Sequence, residues 1–261
     1  MRKRTFNALL SLAGLSVVRG AHAASPTVPE VRELISRARA GGTRPELSGL
    51  DLSDLDLSGV DFAAARLVGT RLFSARLVSA NMAGTDLTRA ILNGAWLMGT
   101  NFNGAVLVDA MLMSVVVLGG QVTTKPSFAG ADLSGARVIA EFAGVDFSGA
   151  RLARANLGVD IKNQGMGQMR TNLAGAKLAS ADLAGADLNR SILEFADLTK
   201  ANLAGVSLFR AKLAGADLRG ANVAGADFAE ADLDGARFEG AQGVASAKGL
   251  DSATNRDRAQ W

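Results

Sequence analysis

The chain of 261 residues has one histidine, His22, and no cysteine. A thiol nucleophile, a thiolate metal site and a disulfide framework are therefore excluded. His22 lies in a segment read below as a removable leader, so Ser-His-Asp relays and imidazole-ligated zinc are excluded as well. Carboxylates, amides, guanidinium groups and thioethers remain. Asp51, Asp56 and Asp61 stand five residues apart, and so do Arg66, Arg71 and Arg76. On a chain that turns a corner in every five residues, each trio is spread over successive faces instead of gathering at one point. A pair of carboxylates working on a glycosidic bond also needs a cleft and a raised pKa, which the sides of a convex rod do not supply. No glycine loop carries the Lys and Ser/Thr of a phosphate cradle. Met166 and Met169 offer soft sulfur, but two thioethers without a third soft ligand make a poor metal site. The sequence reads as non-catalytic, with no cofactor and no metal.

The element that carries these residues is a five-residue unit. Large apolar centres fall at Leu47, Leu52, Leu57, Phe62 and every fifth residue to Val117 and Val122. They resume at Phe128, Leu133, Val138, Phe142, Phe147, Leu152 and Leu157, and again from Leu173 without a slip to Phe238. Ala stands two residues before most centres, and Asp or Asn directly before about half. On an α-helix a step of five turns about 500°, so the centres would wander over every side and form no stripe. Gly after the centres and Asp or Asn before them also oppose long helices. In an extended chain the centre and the small residue two before it share one side, and the polar residue between them takes the other. The two remaining residues, often Gly, Ser, Thr or Asn, turn a corner. Such units wind into a coil whose turns stack at strand spacing, with one large and one small side chain directed inward per unit.

Ala181-Asp182-Leu183-Ala184-Gly185, Ala186-Asp187-Leu188-Asn189-Arg190, Ala196-Asp197-Leu198-Thr199-Lys200 and Ala201-Asn202-Leu203-Ala204-Gly205 carry a resemblance to the pentapeptide repeat family. The resemblance implies an all-β fold, a right-handed quadrilateral β-helix with four units per coil. Some members of that family imitate DNA and protect topoisomerases. For this chain it implies a solenoid of about nine coils and, at about 4.8 Å per coil, a length near ~45 Å.

Domain organisation follows. Residues 1–23 read as a secretory signal peptide: Arg2, Lys3 and Arg4, then an uncharged run from Ala8 to Val18, then Ala21-His22-Ala23. The run is too short to span a bilayer, so no stable membrane anchor is expected after processing. The chain is thus expected in the bacterial periplasm or secreted. The segment also holds Arg19 and no acid; without its four basic residues the chain keeps 24 basic against 25 acidic residues, a net charge of −1. That near-neutral balance gives no signature of nucleic-acid binding and no strong field for imitating DNA. Residues 24–45 form an N-terminal segment in which Pro29 to Ala40 reads as a short helix capping the first coil, with Val31, Leu34, Ile35 and Ala38 on one face. Residues 46–243 form the β-helix, interrupted near 123–127 and 158–171. Residues 244–261 read as a C-terminal cap followed by a polar, mobile tail.

Two features are individual to this chain. The stretch 158–171 lacks repeat character and is expected to project as a loop; Lys162, Asn163, Gln164, Met166, Gln168, Met169 and Arg170 are its candidate contact residues. In the early coils, outward positions that are normally polar turn apolar: Phe73, Val78, Ile91, Trp96, Met98, Met111, Met113, Val116 and Leu118. If residues 20 apart stack, Ile91 meets Met111, Trp96 meets Val116, and Val78, Met98 and Leu118 form a column. Such a patch marks a protein partner or self-association, or is covered by the chain itself. The functional expectation is a non-catalytic exported scaffold that binds a protein. The alternatives are a DNA-mimicking, topoisomerase-protecting protein and an envelope polysaccharide-binding module, the latter disfavoured by scarce outward aromatics.

Overall fold

The computed structural model describes residues 25–119, 123–159 and 170–261. From Glu46 onward the chain makes isolated parallel β-bridges between residues 20 apart, Glu46 with Arg66, Asp51 with Arg71, Asp56 with Arg76 and Asp61 with Asn81. Four five-residue units therefore close one coil. We number the faces 1 to 4 from those four bridges. Among the described residues only β1 (Met111–Met113) and β2 (Arg137–Ile139), paired in parallel as Met111 with Arg137, are longer than a single bridge.

One unit shows why the sequence folds this way. The amide of the centre Leu52 donates to the carbonyl of Arg71 in the next coil at 2.8 Å, and the amide of Arg71 donates back to Leu50 at 2.9 Å. Within a coil the amide of Val60 donates to the carbonyl of Leu57 at 3.1 Å, closing a corner whose second residue, Gly59, has φ 64°. Glycine suits that left-handed position because it has no Cβ to clash. The Asp or Asn before the centre steadies the same corner: Asp56 Oδ1 accepts the amide of Ser58 at 3.1 Å. The abundant acids are thus turn-formers.

Inside, the centres and alanines build one apolar column running from Val31 to Phe238. Where Thr replaces the inward Ala its hydroxyl is satisfied, as in Thr70 to the carbonyl of Leu47 at 3.0 Å and Thr100 to that of Leu77 at 2.7 Å. On face 4, Phe102, Phe128 and Phe147 stack with ring centroids 4.7 and 5.0 Å apart. Helix α1 (Val28–Ala40) begins one residue before the expected Pro29, because Glu30 Oε2 accepts the amide of Thr27 at 2.7 Å. Its Val31 and Ile35 are buried in the column, and Arg39 reaches Asp61 Oδ2 at 2.6 Å.

The even five-residue step is broken in three places. Between Val117 and Phe128 the chain makes an excursion: the amide of Gly99 donates to Thr124 at 2.7 Å, and Asn101 bridges Ser127. Val122, expected as an inward centre, lies outside the described residues, and Phe128 is the next described centre after Val117. From Val138 to Phe142 a unit is one residue short. At the far end, Asp251 to Trp261 does not hang free as the expected mobile tail. Gln242, Lys248, Thr254 and Gln260 bridge Asn222, Asp227, Asp232 and Arg237, and Trp261 stacks on Phe238 at 4.6 Å. These bridging residues are six apart, so a search for fives passes over them. Each follows an alanine: Ala241, Ala247, Ala253 and Ala259 lie partly buried against the column.

The expected leader, residues 1–23, and the candidate loop residues Lys162, Asn163, Gln164, Met166, Gln168 and Met169 lie outside the described residues.

Candidate interaction surface

The apolar residues singled out by sequence lie on faces 2 and 3. Ile91 bridges Met111 and Trp96 bridges Val116, as the 20-residue spacing predicts. Phe73 is 51% exposed, Leu118 50%, Met111 37% and Trp96 36%, while Val78, Ile91, Met113 and Val116 are half-buried. Arg76 lies 4.8 Å over the Trp96 ring and 3.7 Å from Asp56 Oδ2, so face 3 carries a carboxylate, a guanidinium and an indole on consecutive coils.

Met98 departs from the expectation. It is 3% exposed, and a Cβ on Gly119 would stand 3.8 Å from its Cε. The excursion after Val117 covers it. The same excursion breaks the expected column of Val78, Met98 and Leu118, because Thr124 takes the ladder position over Gly99 that the uninterrupted repeat gives to Leu118. Arg170, the one candidate loop residue within the described chain, is half-buried.

Sequence reasoning passed over Phe195. It occupies a corner with φ 58° and is 73% exposed, and its ring stands where a Cβ on Gly215 would go. The signal was an aromatic at a left-handed corner, a position given in the other repeat units almost throughout to Gly, Ser, Ala or a charged residue, where a bulky side chain is strained.

Among the described residues the carboxylates do not assemble a reactive group. Asp56 is held below the usual carboxylate range by the Ser58 hydroxyl and amide. The Arg39 guanidinium, with the Ala63 amide, does the same for Asp61, and Arg219 does so for Asp217. A general acid needs the opposite shift. Glu46–Arg66, Asp51–Arg71 and Asp56–Arg76 form ion pairs at 3.7 Å on three successive faces, which ties the first two coils together. Among the described residues no group of three or more His, Asp or Glu is placed to hold a metal ion, and no helix is long and apolar enough to cross a membrane.

Fold and surface together define a four-sided β-solenoid that presents fixed side chains on flat faces. The chain belongs to the pentapeptide repeat family: the model for pentapeptide repeats matches in eight copies over residues 46–77, 65–104, 169–205 and 207–242. The architecture is accordingly that family's right-handed β-helix. Among solved structures, HetL, a pentapeptide repeat protein involved in heterocyst differentiation regulation in the cyanobacterium Nostoc sp. strain PCC 7120, is 29% identical. The match covers 87% of this chain and 92% of that one, with a TM-score of 0.57. A trypsin-treated variant of QnrB1, a plasmid-mediated fluoroquinolone resistance protein, is 17% identical over 74% of this chain and 90% of its own, with a TM-score of 0.33. A pentapeptide repeat protein of the Arabidopsis thaliana thylakoid lumen is 27% identical over 47% of this chain and 73% of its own, with a TM-score of 0.27. No curated protein is a match to this sequence.

Proposed function

We propose that this chain is a non-catalytic interaction scaffold, acting outside the cytoplasm, that binds a protein through the apolar surface of faces 2 and 3. The observation that carries the reading is the joint exposure of Phe73, Trp96, Met111 and Leu118 on consecutive coils. The corresponding outward positions of the last regular coils are mostly polar, with Ser207, Lys212, Asp227, Asp232 and Asp234, and the one aromatic among them, Phe209, is half-buried. The repeat keeps its inside apolar wherever it folds, so nothing about folding requires an apolar outside. An aromatic and methionine-rich patch on a rigid face suits contact with a partner. Membership of a family of interaction proteins supports the same reading, and the −1 balance of the chain after residue 23 speaks against a DNA mimic.

The test is pull-down from envelope extracts, together with size-exclusion chromatography, on Phe73→Asp and Trp96→Asp. Both sites are exposed and tolerate a charge. Met98 is unsuitable because its burial would confound binding with folding. Loss of a captured protein, or of self-association, in both variants supports the reading; capture equal to the parent's overturns it. Cell fractionation checks the compartment, and an unprocessed, wholly cytoplasmic product would overturn the exported part and revive the DNA-mimic alternative.

A further inference from the structure

Three successive coils meet at one corner, between faces 2 and 3, in a way found nowhere else along the described column. In the first of them the corner residue is Ser114, with φ 56°, whose amide donates to Ile139 at 2.8 Å. In the second, Ile139 runs directly into the inward Ala140, and the corner residue is missing. Ala140 is confirmed as inward by its carbonyl, which accepts the amide of Asn172 at 2.9 Å. In the third, Val159 holds the corner through Asn189 at 3.3 Å, and the chain re-enters face 3 at Arg170 and Thr171. Removing one corner residue from the middle coil cuts a notch into the rod. It is a cavity of about 530 Å³ lined by Ser114, Val115, Ile139, Ala140, Glu141, Arg170 and Ile192.

Val115, Ile139 and Ala140 line the notch; the inward Val115 and Ala140, at 6% and 5%, are slightly more open than most inward side chains, and Ile139, on the outward side, is 6% exposed. The floor of the notch is aliphatic and without aromatics. Its charged groups are one of each sign. Glu141 gives Oε2 to the Asn172 amide group at 2.8 Å and keeps Oε1 without a partner among the described residues. Arg170, from the next coil, brings a permanent positive charge whatever else it touches. A ligand for this site has a short branched hydrocarbon for the floor, a cation for Glu141 and an anion for Arg170. The volume is that of a small-molecule site.

We propose that the notch binds a free aliphatic α-amino acid, with its side chain on Val115, Ile139 and Ala140, its ammonium on Glu141 and its carboxylate toward Arg170. The notch adjoins the apolar surface on faces 2 and 3 at Met113 and Val116 but uses other residues, and its test does not depend on that surface.

The test is isothermal titration calorimetry of the full chain with L-leucine, isopentylamine and 4-methylpentanoate, the last two each lacking one charge. Leucine is expected to bind more tightly than either. Glu141→Gln should weaken leucine and the amine by about tenfold or more, the value of a hydrogen bond to a charged group, and leave the acid unchanged. Inserting one glycine between Ile139 and Ala140 restores the five-residue step and fills the corner. It should abolish binding while circular dichroism and thermal unfolding stay those of the parent. Absence of leucine binding to the parent, an amine that binds as tightly as leucine, or full binding by the folded glycine-insertion variant would each overturn the proposal.

Discussion

Phe128 is the residue on which the column's continuity should depend most. It is the first described centre after the excursion that follows Val117, and it is fully buried. Its ring stacks on Phe102 at 4.7 Å and on Phe147 at 5.0 Å, and meets Phe142 edge-on at 5.5 Å. Phe128→Ala should cost about 3–5 kcal/mol from lost transfer and the cavity left behind. Three aromatic pairs, each worth ~0.5–1.5 kcal/mol beyond area, place it at the upper end of that range. Phe128→Leu fills most of the volume and should cost roughly 2 kcal/mol, mainly the lost ring pairs. Each coil of a solenoid touches only its neighbours, so the damage should be local and should decouple the two halves. The chain has two tryptophans, and they lie on either side: Trp96 before the Phe column and Trp261 at the last coil. Urea unfolding of Trp96→Phe and Trp261→Phe backgrounds, followed by fluorescence, reports each half separately. The midpoints should coincide in the parent and separate in Phe128→Ala. A Phe128→Ala protein whose two midpoints both equal the parent's would refute the reasoning.

Leu183 and Ala181 are both fully buried, one large and one small on the same face. Leu183→Ala should cost ~2–5 kcal/mol and Ala181→Leu ~1–3 kcal/mol by overpacking, both read from chemical denaturation. If Ala181→Leu is neutral, the axis has space the structure does not show. Gly205 and Gly249 both have left-handed φ, 64° and 70°, but a Cβ meets nothing within 4 Å at Gly205 and stands 2.4 Å from the Ala229 nitrogen at Gly249. Gly205→Ala should therefore cost only the left-handed penalty of ~1–2 kcal/mol, and Gly249→Ala clearly more. Equal thermal shifts would mean that the last coil is not packed as described. Asp61 has a folded pKa below the ordinary carboxylate value, chiefly through Arg39. The unfolded chain then takes up the proton first on acidification, so the stabilisation is complete near neutrality. It is lost as pH falls from the ordinary carboxylate range through the folded value. Asp61→Asn should flatten the dependence of the urea midpoint on pH over that acid window; an unchanged acid slope would remove Asp61 from the account.

The fold was legible because its cause is local and repeated. A large centre, a small partner two before it and a polar residue between them are enough to set inside from outside. The helix was legible from Pro29 and its apolar face. The last coil was not, because its Ala-Gln-Gly, Ala-Lys-Gly, Ala-Thr-Asn and Ala-Gln-Trp triplets recur at six residues and, apart from Trp261, have no large centre. The placement of the outward apolar residues on faces 2 and 3 followed from stacking by twenties except at Met98 and Leu118. Stacking by twenties assumes an unbroken ladder, and the ladder is broken directly above Met98 by residues whose own repeat pattern is intact at Val117. The notch at Ala140 was visible only as a spacing of four. Its meaning needs the coils on either side, which sequence spacing alone does not bring together.

Backbone bonds between coils fix every regular position in this protein, so a regular coil has little freedom to become a site. Each inward residue is committed to the column, nearly every Asp or Asn before a centre to its own corner, and each corner to a left-handed residue. Freedom enters where a unit is too long or too short. The excursion after Val117, the short step at Val138 and the stretch between Val159 and Arg170 fall within consecutive coils. They border both the exposed Trp96 and Met111 and the notch at Glu141. The regular coils from Leu173 to Phe238 carry one comparable anomaly, the strained and exposed Phe195. That residue sits on the corner between faces 3 and 4, along the same edge as the corner that follows Trp96 and Leu97 three coils or more before it. A partner long enough to follow this edge would meet both aromatics. If so, Phe195→Gly, which relieves the left-handed strain and should leave the fold at least as stable, would weaken capture by the Trp96 surface. A partner confined to the early coils would bind the variant as it binds the parent.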